Sequence, residues 1–340
     1  MNRGLILSAI ALMASVAAYA QMMPDSTVQI VAYWSKGDKV AYDCTTTSYT
    51  EDENGNRSEV SATSETRVFE VLDEREDGYT LRLSYRNVFN PNPVKYLTPE
   101  ESRELNENFT ITFTTDEFGS VTGIVNSEEC KAVLVDIIDG MVERKWKEMD
   151  KESRKAISKE QFSDYLKGLF CSEEVLSLTA GADITPFFTY HGARLDTTQL
   201  YSFPQDFTLP IAGNETFEVE TELWVDEKLT DENSAVICTD AMATKDILIP
   251  KVLDYTVQMM RQAAEMAEEE ITEDDVANLN DELNRQLQDM TMEVYSTTEI
   301  HLPSGWPLQW YNTREIVVVS EDVMTKKVIE QTAHLSEEQE

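Results

Sequence analysis

The sequence predicts an α+β protein in which curved antiparallel β-sheets pack on amphipathic helices. Several segments alternate apolar and polar residues with the period of two of a half-buried strand, as in residues 79–86. Other segments repeat apolar residues three or four positions apart, as on one face of a helix. The strands are grouped around the helices without regular βαβ alternation, which favours antiparallel pairing.

The first part of the chain predicts an antiparallel meander. Runs rich in β-branched and aromatic residues cover 40–50, 57–72, 79–86, 109–113 and 121–125. Turn signals lie between them at Asn54-Gly55, Asp77-Gly78 and Asp116 to Gly119. A short helix is expected after Thr98, which can cap it, with Pro99 at its first position.

Helical periodicity predicts the next elements. Apolar residues from Cys130 to Trp146 fall on one face, and Ser158 to Gln161 forms a capping box before a further helix. A long helical stretch is expected from Leu248 to Met290. Thr272 predicts a new cap within it, so the stretch reads as two helices, the second with Leu287 on its inner face.

Three strands are predicted in the second part of the chain. Residues 217–226 alternate apolar residues with acidic ones, so one side of this strand is expected to be solvated. Two final strands, 291–302 and 306–319, are joined at Pro303-Ser304-Gly305. The order of elements resembles that of the first half. A duplicated fold and the general repetitiveness of α+β proteins both account for this likeness.

The first twenty residues predict a secretory signal peptide. Arg3 precedes an apolar run that ends in Ala18-Tyr19-Ala20, and the run is shorter than the roughly 20 residues that span a bilayer. Cleavage would leave no transmembrane anchor, and the expected location is the periplasm or the extracellular space. The predicted division is 1–20 signal peptide, 21–178 N-terminal α+β domain, 179–212 junction, 213–335 C-terminal α+β domain and 336–340 disordered acidic tail.

Composition restricts the partners. The chain has 64 acidic and 28 basic residues and a formal net charge of −36, which disfavours nucleic acid and anionic membrane surfaces. High charge keeps an exported protein soluble. A calcium-dependent or cation-rich surface partner is the alternative explanation of the charge.

Four cysteines remain after cleavage: Cys44, Cys130, Cys171 and Cys238. In an exported chain they are candidates for two disulfides, with buried free thiols as the alternative. Their irregular spacing and the small number of histidines predict no metal site, and no cofactor motif occurs.

No catalytic motif was found. His191 and His301 could act as general bases, but neither has a Ser or Cys partner in a motif context. The many acidic residues leave a carboxylate-dependent hydrolase open without favouring particular residues. The sequence therefore favours a non-enzymatic protein over an enzyme.

The candidate ligand site is an aromatic strip. In a regular strand Trp306, Leu308 and Trp310 share one face, and such a strip can form the floor of a ligand cavity. The alternative is that these residues cover a helix as ordinary core.

Three short segments carry a resemblance: Lys36 to Tyr42, Phe109 to Gly123 and Ser304 to Pro307. Together they resemble a family of exported bacterial envelope proteins known only as a domain of unknown function. In that family a Gly-Asp-x-x-x-Tyr strand opens the domain and a Gly-Trp-Pro-like turn lies in a late hairpin. The resemblance spans most of residues 28–320 and implies no functional residues.

The resulting hypothesis is an exported, non-enzymatic protein of the cell envelope that binds a hydrophobic ligand or a protein partner. The alternatives are the carboxylate-dependent hydrolase and a structural or assembly protein of the envelope. A cavity near Trp306 and Trp310 is the feature that would favour the ligand.

Overall fold

The fold was analysed in a computed structural model. It describes residues 26–89, 98, 103, 108–151, 154, 158–209, 215–231, 233–267, 272–320 and 323–336. The predicted signal peptide, most of the short helix after Thr98 and the last four residues lie outside this part of the chain. Ser336, the first residue of the predicted tail, is buried, and its amide donates to the carbonyl of Ala41 at 2.7 Å.

The α+β prediction is confirmed. Within the described residues the strands are β1 (Thr27–Gln29), β2 (Lys39–Glu51), β3 (Arg57–Arg75), β4 (Gly78–Phe89), β5 (Thr110–Thr115), β6 (Val121–Ile124), β7 (Arg194–Asp196), β8 (Tyr201–Leu209), β9 (Glu215–Val225), β10 (Ser234–Ala243), β11 (Leu287–His301), β12 (Pro307–Ser320) and β13 (Val323–Leu335). The helices are α1 (Ser127–Glu148), α2 (Lys159–Phe170), α3 (Glu173–Phe188), α4 (Lys245–Ala267) and α5 (Glu273–Gln286).

One large antiparallel sheet dominates the fold. Its eleven strands run in the order β6-β5-β4-β3-β2-β13-β12-β11-β10-β9-β8, and β1 and β7 form a separate two-stranded sheet. The first and last long strands pair with each other, with Cys44 opposite Ala333. Strands from both predicted domains therefore lie in one sheet. The proposed domain boundaries and the duplication stay predictions.

The sheet has an inner face, which carries most of its buried apolar side chains. Toward β6 this face contributes Phe69, Leu83 and Phe113 to one cluster, covered by α3. Toward β8 it contributes Met292 and Ile316 to a second cluster, covered by α4. The outer face of β9 is polar, as the exposed Glu218, Glu220 and Glu222 show. The predicted alternation in β9 is confirmed, because Phe217, Val219, Thr221, Leu223 and Val225 are all buried.

The segment before β2 is held between three turns. The amide of Ile30 donates to Ala193, that of Ala32 to Phe118, and that of Tyr33 to Ser304. Phe118 and Ser304 lie in the turns that close the β5–β6 and β11–β12 hairpins. The N-terminal segment thus connects turns that are far apart in sequence.

Two of the three helix caps predicted from the sequence are confirmed, and the residues that would follow the third, at Thr98, lie outside the described part of the chain. Ser158 and Gln161 form a reciprocal capping box at the start of α2, and Thr272 and Asp275 form one at the start of α5.

One part of the helix prediction is wrong. The helix that ends the predicted stretch stops at Gln286, and Leu287 opens β11 opposite Ser320 instead of lying on a helix face. Pairing with β12 buries Met290, and this burial favours the strand over the helix at this position. Within the predicted junction, α3 continues to Phe188 past Pro186, and β7 and β8 follow it. Contacts of Phe187 and Phe188 with the sheet cluster stabilise this end of the helix.

Candidate functional site

A cavity lies between the end of α3 and the inner face of the sheet, beside Trp310. Its volume is about 280 Å³. The helix side is formed by Pro186, Thr189 and Tyr190. The sheet side is formed by Phe203, Gln205, Thr239, Ser296, Thr298 and Trp310. We call this space the α3 cleft.

The sheet register places the residues of the floor side by side. Trp310 lies opposite Thr298 on β11, and Ser296 lies opposite Thr239 on β10. Directly opposed residues in antiparallel strands point to the same face, so these four side chains all lie on the inner face. The floor thus combines one large aromatic ring with three hydroxyl groups.

The hydroxyl groups of the floor are connected. Thr239 Oγ1 and Ser296 Oγ are 2.6 Å apart, and either can donate. The buried Tyr190 side chain interacts with Ser296, Thr239 and Thr298. Burial raises the pKa of Tyr190, and these interactions partly oppose that effect, so its hydroxyl is neutral at pH 7. The polar groups of the cleft are uncharged.

The apolar walls of the cleft are incompletely buried. Phe203 on the edge strand β8 is 37% exposed, and Trp310 is half-buried at the margin of the first core cluster. A half-exposed aromatic pair around an open space is the usual lining of a small-molecule site.

An ion pair fixes α3 on the sheet next to the cleft. Arg67 on β3 contacts Asp183 of the helix at 2.8 Å, and Tyr85 donates to the same carboxylate at 2.6 Å. Arg67 also contacts Glu65 at 2.7 Å, so its charge is compensated on two sides. This anchor holds α3 against the β3–β4 side of the sheet.

The predicted strip of Trp306, Leu308 and Trp310 is divided by a β-bulge. Ile300 pairs with Pro307 and Glu299 pairs with Gln309, which leaves Leu308 as the extra residue. Trp306 is 7% exposed and stacks on Trp34 with ring centroids 4.5 Å apart. Only Trp310 of the three lines the α3 cleft.

The two candidate histidines lie away from the cleft. His191 is buried, and its Nε2–H donates to the carbonyl of Gly305 at 2.8 Å. Burial lowers the pKa of His191 to about 4, so the ring is neutral at pH 7. His301 shares a hydrogen bond with the Ser304 hydroxyl at 2.8 Å, and burial lowers its pKa as well. Among the described residues, the cleft lining contains no carboxylate to accompany either ring.

The structure places Cys44, Cys130, Cys171 and Cys238 as buried free thiols. Burial raises the pKa of the Cys44 thiol to about 12 and raises those of the other three. A protonated, buried thiol is a poor nucleophile. In the described part of the chain, no group of three or more His, Cys, Asp or Glu side chains is arranged to hold a metal ion.

The sequence did not indicate most of the cleft. Tyr190, Ser296 and Thr298 follow no motif, and their proximity depends on the packing of α3 against the sheet. The only sequence signal was the aromatic strip around Trp310.

No family model and no curated protein matches the chain. A structure described as lipid–protein interactions in lipovitellin aligns with 89% of this chain at 11% identity and a TM-score of 0.37, and this chain spans 25% of that one. The attachment invasion locus protein Ail of Yersinia pestis aligns with 89% of this chain and 100% of its own length, at 4% identity and a TM-score of 0.17. Likenesses with TM-scores this low establish neither a common fold nor a function.

No helix within the described residues has the length and apolar character needed to cross a membrane.

Proposed function

We propose that this protein is an exported, non-enzymatic protein of the cell envelope that binds a hydrophobic ligand in the α3 cleft. The observation that carries the proposal is the cavity of about 280 Å³ beside Trp310. Its volume is close to the lower end of the range of ligand pockets, roughly 300–1,000 Å³. The ligand is expected to be slender or to extend beyond the cleft.

The chemistry of the lining supports this proposal. Trp310 and Phe203 offer apolar surface that water partly covers in the free protein, so a ligand that covers them gains hydrophobic free energy. Tyr190 and the Ser296–Thr239 pair supply neutral hydrogen-bonding groups at the floor. An apolar site with a few convergent polar groups suits a ligand that has one polar end.

Export is supported by the first twenty residues, which have the composition of a signal peptide. An envelope role accords with the resemblance to exported envelope proteins, which stays a prediction.

A hydrolytic function has less support. The described cleft lining lacks a carboxylate, and His191 is held in the core by Gly305 and by the ring of Trp34 at 5.3 Å. A general base needs access to the reacting proton, which a buried, core-packed imidazole lacks.

The proposal is tested by blocking the cleft. Gln205 points from β8 into the cleft, and Asp206 points from the next position to the outer face. Gln205→Trp should therefore fill the cleft, whereas Asp206→Trp adds the same ring outside it. We expect the neutral apolar probe N-phenylnaphthylamine to bind the wild type and Asp206→Trp alike, and to bind Gln205→Trp about tenfold more weakly.

Equal binding by both variants, with unchanged circular dichroism, would contradict a ligand site in the α3 cleft. Thr189→Trp, placed on the exposed helix side of the cleft, gives a second blocked variant that leaves the sheet untouched.

A further inference from the structure

Two basic side chains lie on the inner face of the sheet without an acidic partner. Arg314 on β12 is opposite Val294 and Ile329, and Lys327 on β13 is opposite Ile316. Both basic residues are partly buried. Within the described part of the chain, neither side chain makes a hydrogen bond or an ion pair.

The outer face of the same strands is different. Lys326, the residue before Lys327, contacts Glu315 at 2.7 Å and Glu51 at 3.8 Å. Arg57 nearby contacts Glu51 at 2.9 Å and Glu330 at 3.8 Å. In a chain with 64 acidic and 28 basic residues, acidic partners are abundant, yet the two inner-face cations have none among the described residues.

The position of Arg314 is costly for the free protein. Its neighbours Val294 and Ile329 are apolar, and desolvation lowers the pKa of its guanidinium. A partly buried charge is unfavourable unless it is paired. A bound anion would provide the missing partner and would explain why a charged arginine occupies this position.

The two cations are placed to contact one group. Arg314 and Lys327 are diagonal neighbours on adjacent strands, about 7 Å apart at their Cβ atoms. An arginine fork with a nearby ammonium matches the oxygens of a carboxylate or a phosphate.

The α3 cleft lies along the same strand. Trp310 and Arg314 share the inner face of β12 and are about 13 Å apart along it. Asn312 lies between them and is half-buried. Trp310, Asn312 and Arg314 thus form a row that leads from the cavity under α3 toward the cluster under α4.

We infer that Arg314 and Lys327 bind the acid head group, a carboxylate or a phosphate, of an amphiphile whose hydrocarbon part extends along β12 to Trp310. This inference rests on the proposed function, since it assigns the chemical class of the ligand in that site. It also accounts for a ligand longer than the cleft itself.

Paired probes test the inference. Oleate and oleyl alcohol share a hydrocarbon chain and differ in the acid group, and binding of each below its aggregation concentration is measured by calorimetry. We expect the wild type to prefer oleate by about tenfold, the gain of a charge-assisted hydrogen bond. Arg314→Gln should remove this preference. Its affinity for oleate should fall by about tenfold, and its affinity for oleyl alcohol should change by less than about twofold.

Lys326→Gln is the matched control, because it removes the same charge from the outer face one position away from Lys327. It should leave the oleate preference unchanged, whereas Lys327→Gln should reduce it. Hexadecyl phosphate replaces oleate in a parallel arm that identifies the preferred acid. Acetate and inorganic phosphate should not compete, because they lack the hydrocarbon chain.

Equal binding of oleate and oleyl alcohol, both blocked by Gln205→Trp, would overturn the inference and leave the proposed function standing. Equal losses of oleate binding in Arg314→Gln and Lys326→Gln would overturn it too, since they indicate a general charge effect. Binding of neither lipid by the wild type would contradict the proposed function itself.

Discussion

Trp34 and Trp306 stack with their ring centroids 4.5 Å apart and their planes inclined by 25°. The pair joins the segment before β2 to the β11–β12 turn, across most of the length of the chain. Tyr79, Phe188 and His191 surround Trp34. This aromatic cluster fixes the end of α3, and therefore the helix side of the α3 cleft.

Replacing Trp306 should destabilise the fold strongly. Trp306→Ala removes a 7% exposed ring from a packed cluster, and we expect the free energy of unfolding to fall by about 3–5 kcal/mol in urea denaturation. Trp310→Ala, four residues further along the chain on β12, is the control. Its ring is half-buried at the cleft, so its loss should lower the unfolding free energy by less than half as much. Similar losses for the two variants would show that Trp310 is core and not a wall of the cleft.

Gly305 should tolerate no side chain, because a Cβ there would lie 2.4 Å from the carbonyl oxygen of Val31. Gly55 has nearly the same backbone, with φ of 78° against 75° for Gly305, but a Cβ at Gly55 meets nothing within 4 Å. Gly55→Ala should therefore report the backbone strain alone, about 1 kcal/mol. We expect Gly305→Ala to lower the unfolding free energy by clearly more, and equal effects would refute the close approach of Val31.

Stability should fall in mild acid because of His191. Burial lowers its pKa from 6.5 to about 4 in the folded protein. Its Nε2–H donates to the carbonyl of Gly305. Its buried Nδ1 has no hydrogen-bond partner among the described residues, so a second proton placed there would find no acceptor. Above pH 6.5 the ring is neutral in both states and costs nothing. As the pH falls from 6.5 to about 4, only the unfolded chain gains the proton, so the fold loses about 3 kcal/mol.

Urea denaturation across this pH range measures the effect. His191→Gln keeps a donor for Gly305 and should flatten most of the dependence. Burial also lowers the pKa of His301, so a smaller pH dependence of the same sign should remain in this variant. If the unfolding free energy of His191→Gln depends on pH as it does in the wild type, groups other than His191 cause the dependence.

Removing the inner-face charge should stabilise the free protein. Arg314→Gln relieves a partly buried guanidinium that has no partner among the described residues, and we expect the unfolding free energy to rise by about 1 kcal/mol. Lys326→Gln breaks an outer-face ion pair of 2.7 Å and should lower it by less than about 1 kcal/mol. A loss of stability in Arg314→Gln, measured on lipid-free protein, would mean that the guanidinium has a structural partner.

The sequence predicted those elements in which local pattern and tertiary environment agree. The alternation in β9 identified its buried face, because one side meets the core and the other carries glutamates. The capping boxes at Ser158 and Thr272 act within a single turn, so no distant contact was needed to find them.

Elements decided by distant pairing were missed or misplaced. Leu287 continues the helical spacing of Leu283, but β12 pairs with it and makes it a strand residue. The pairing of β13 with β2 joins the two ends of the chain, and no local signal announces it. The candidate site shows the same limit: Trp310 was predicted from its strand, but Tyr190 and Arg314 gain their roles only from neighbours that lie far away in sequence.

Native mass spectrometry tests the central claim, a bound hydrophobic ligand, most directly. The protein is purified from the cells or medium of its native source and weighed under native and then denaturing conditions, with Gln205→Trp prepared in parallel. We expect a discrete adduct on the wild type that is lost on unfolding and is absent from Gln205→Trp, and its mass would identify the class of ligand. An adduct-free wild type, together with failure to bind the apolar probe, would contradict a ligand-binding function.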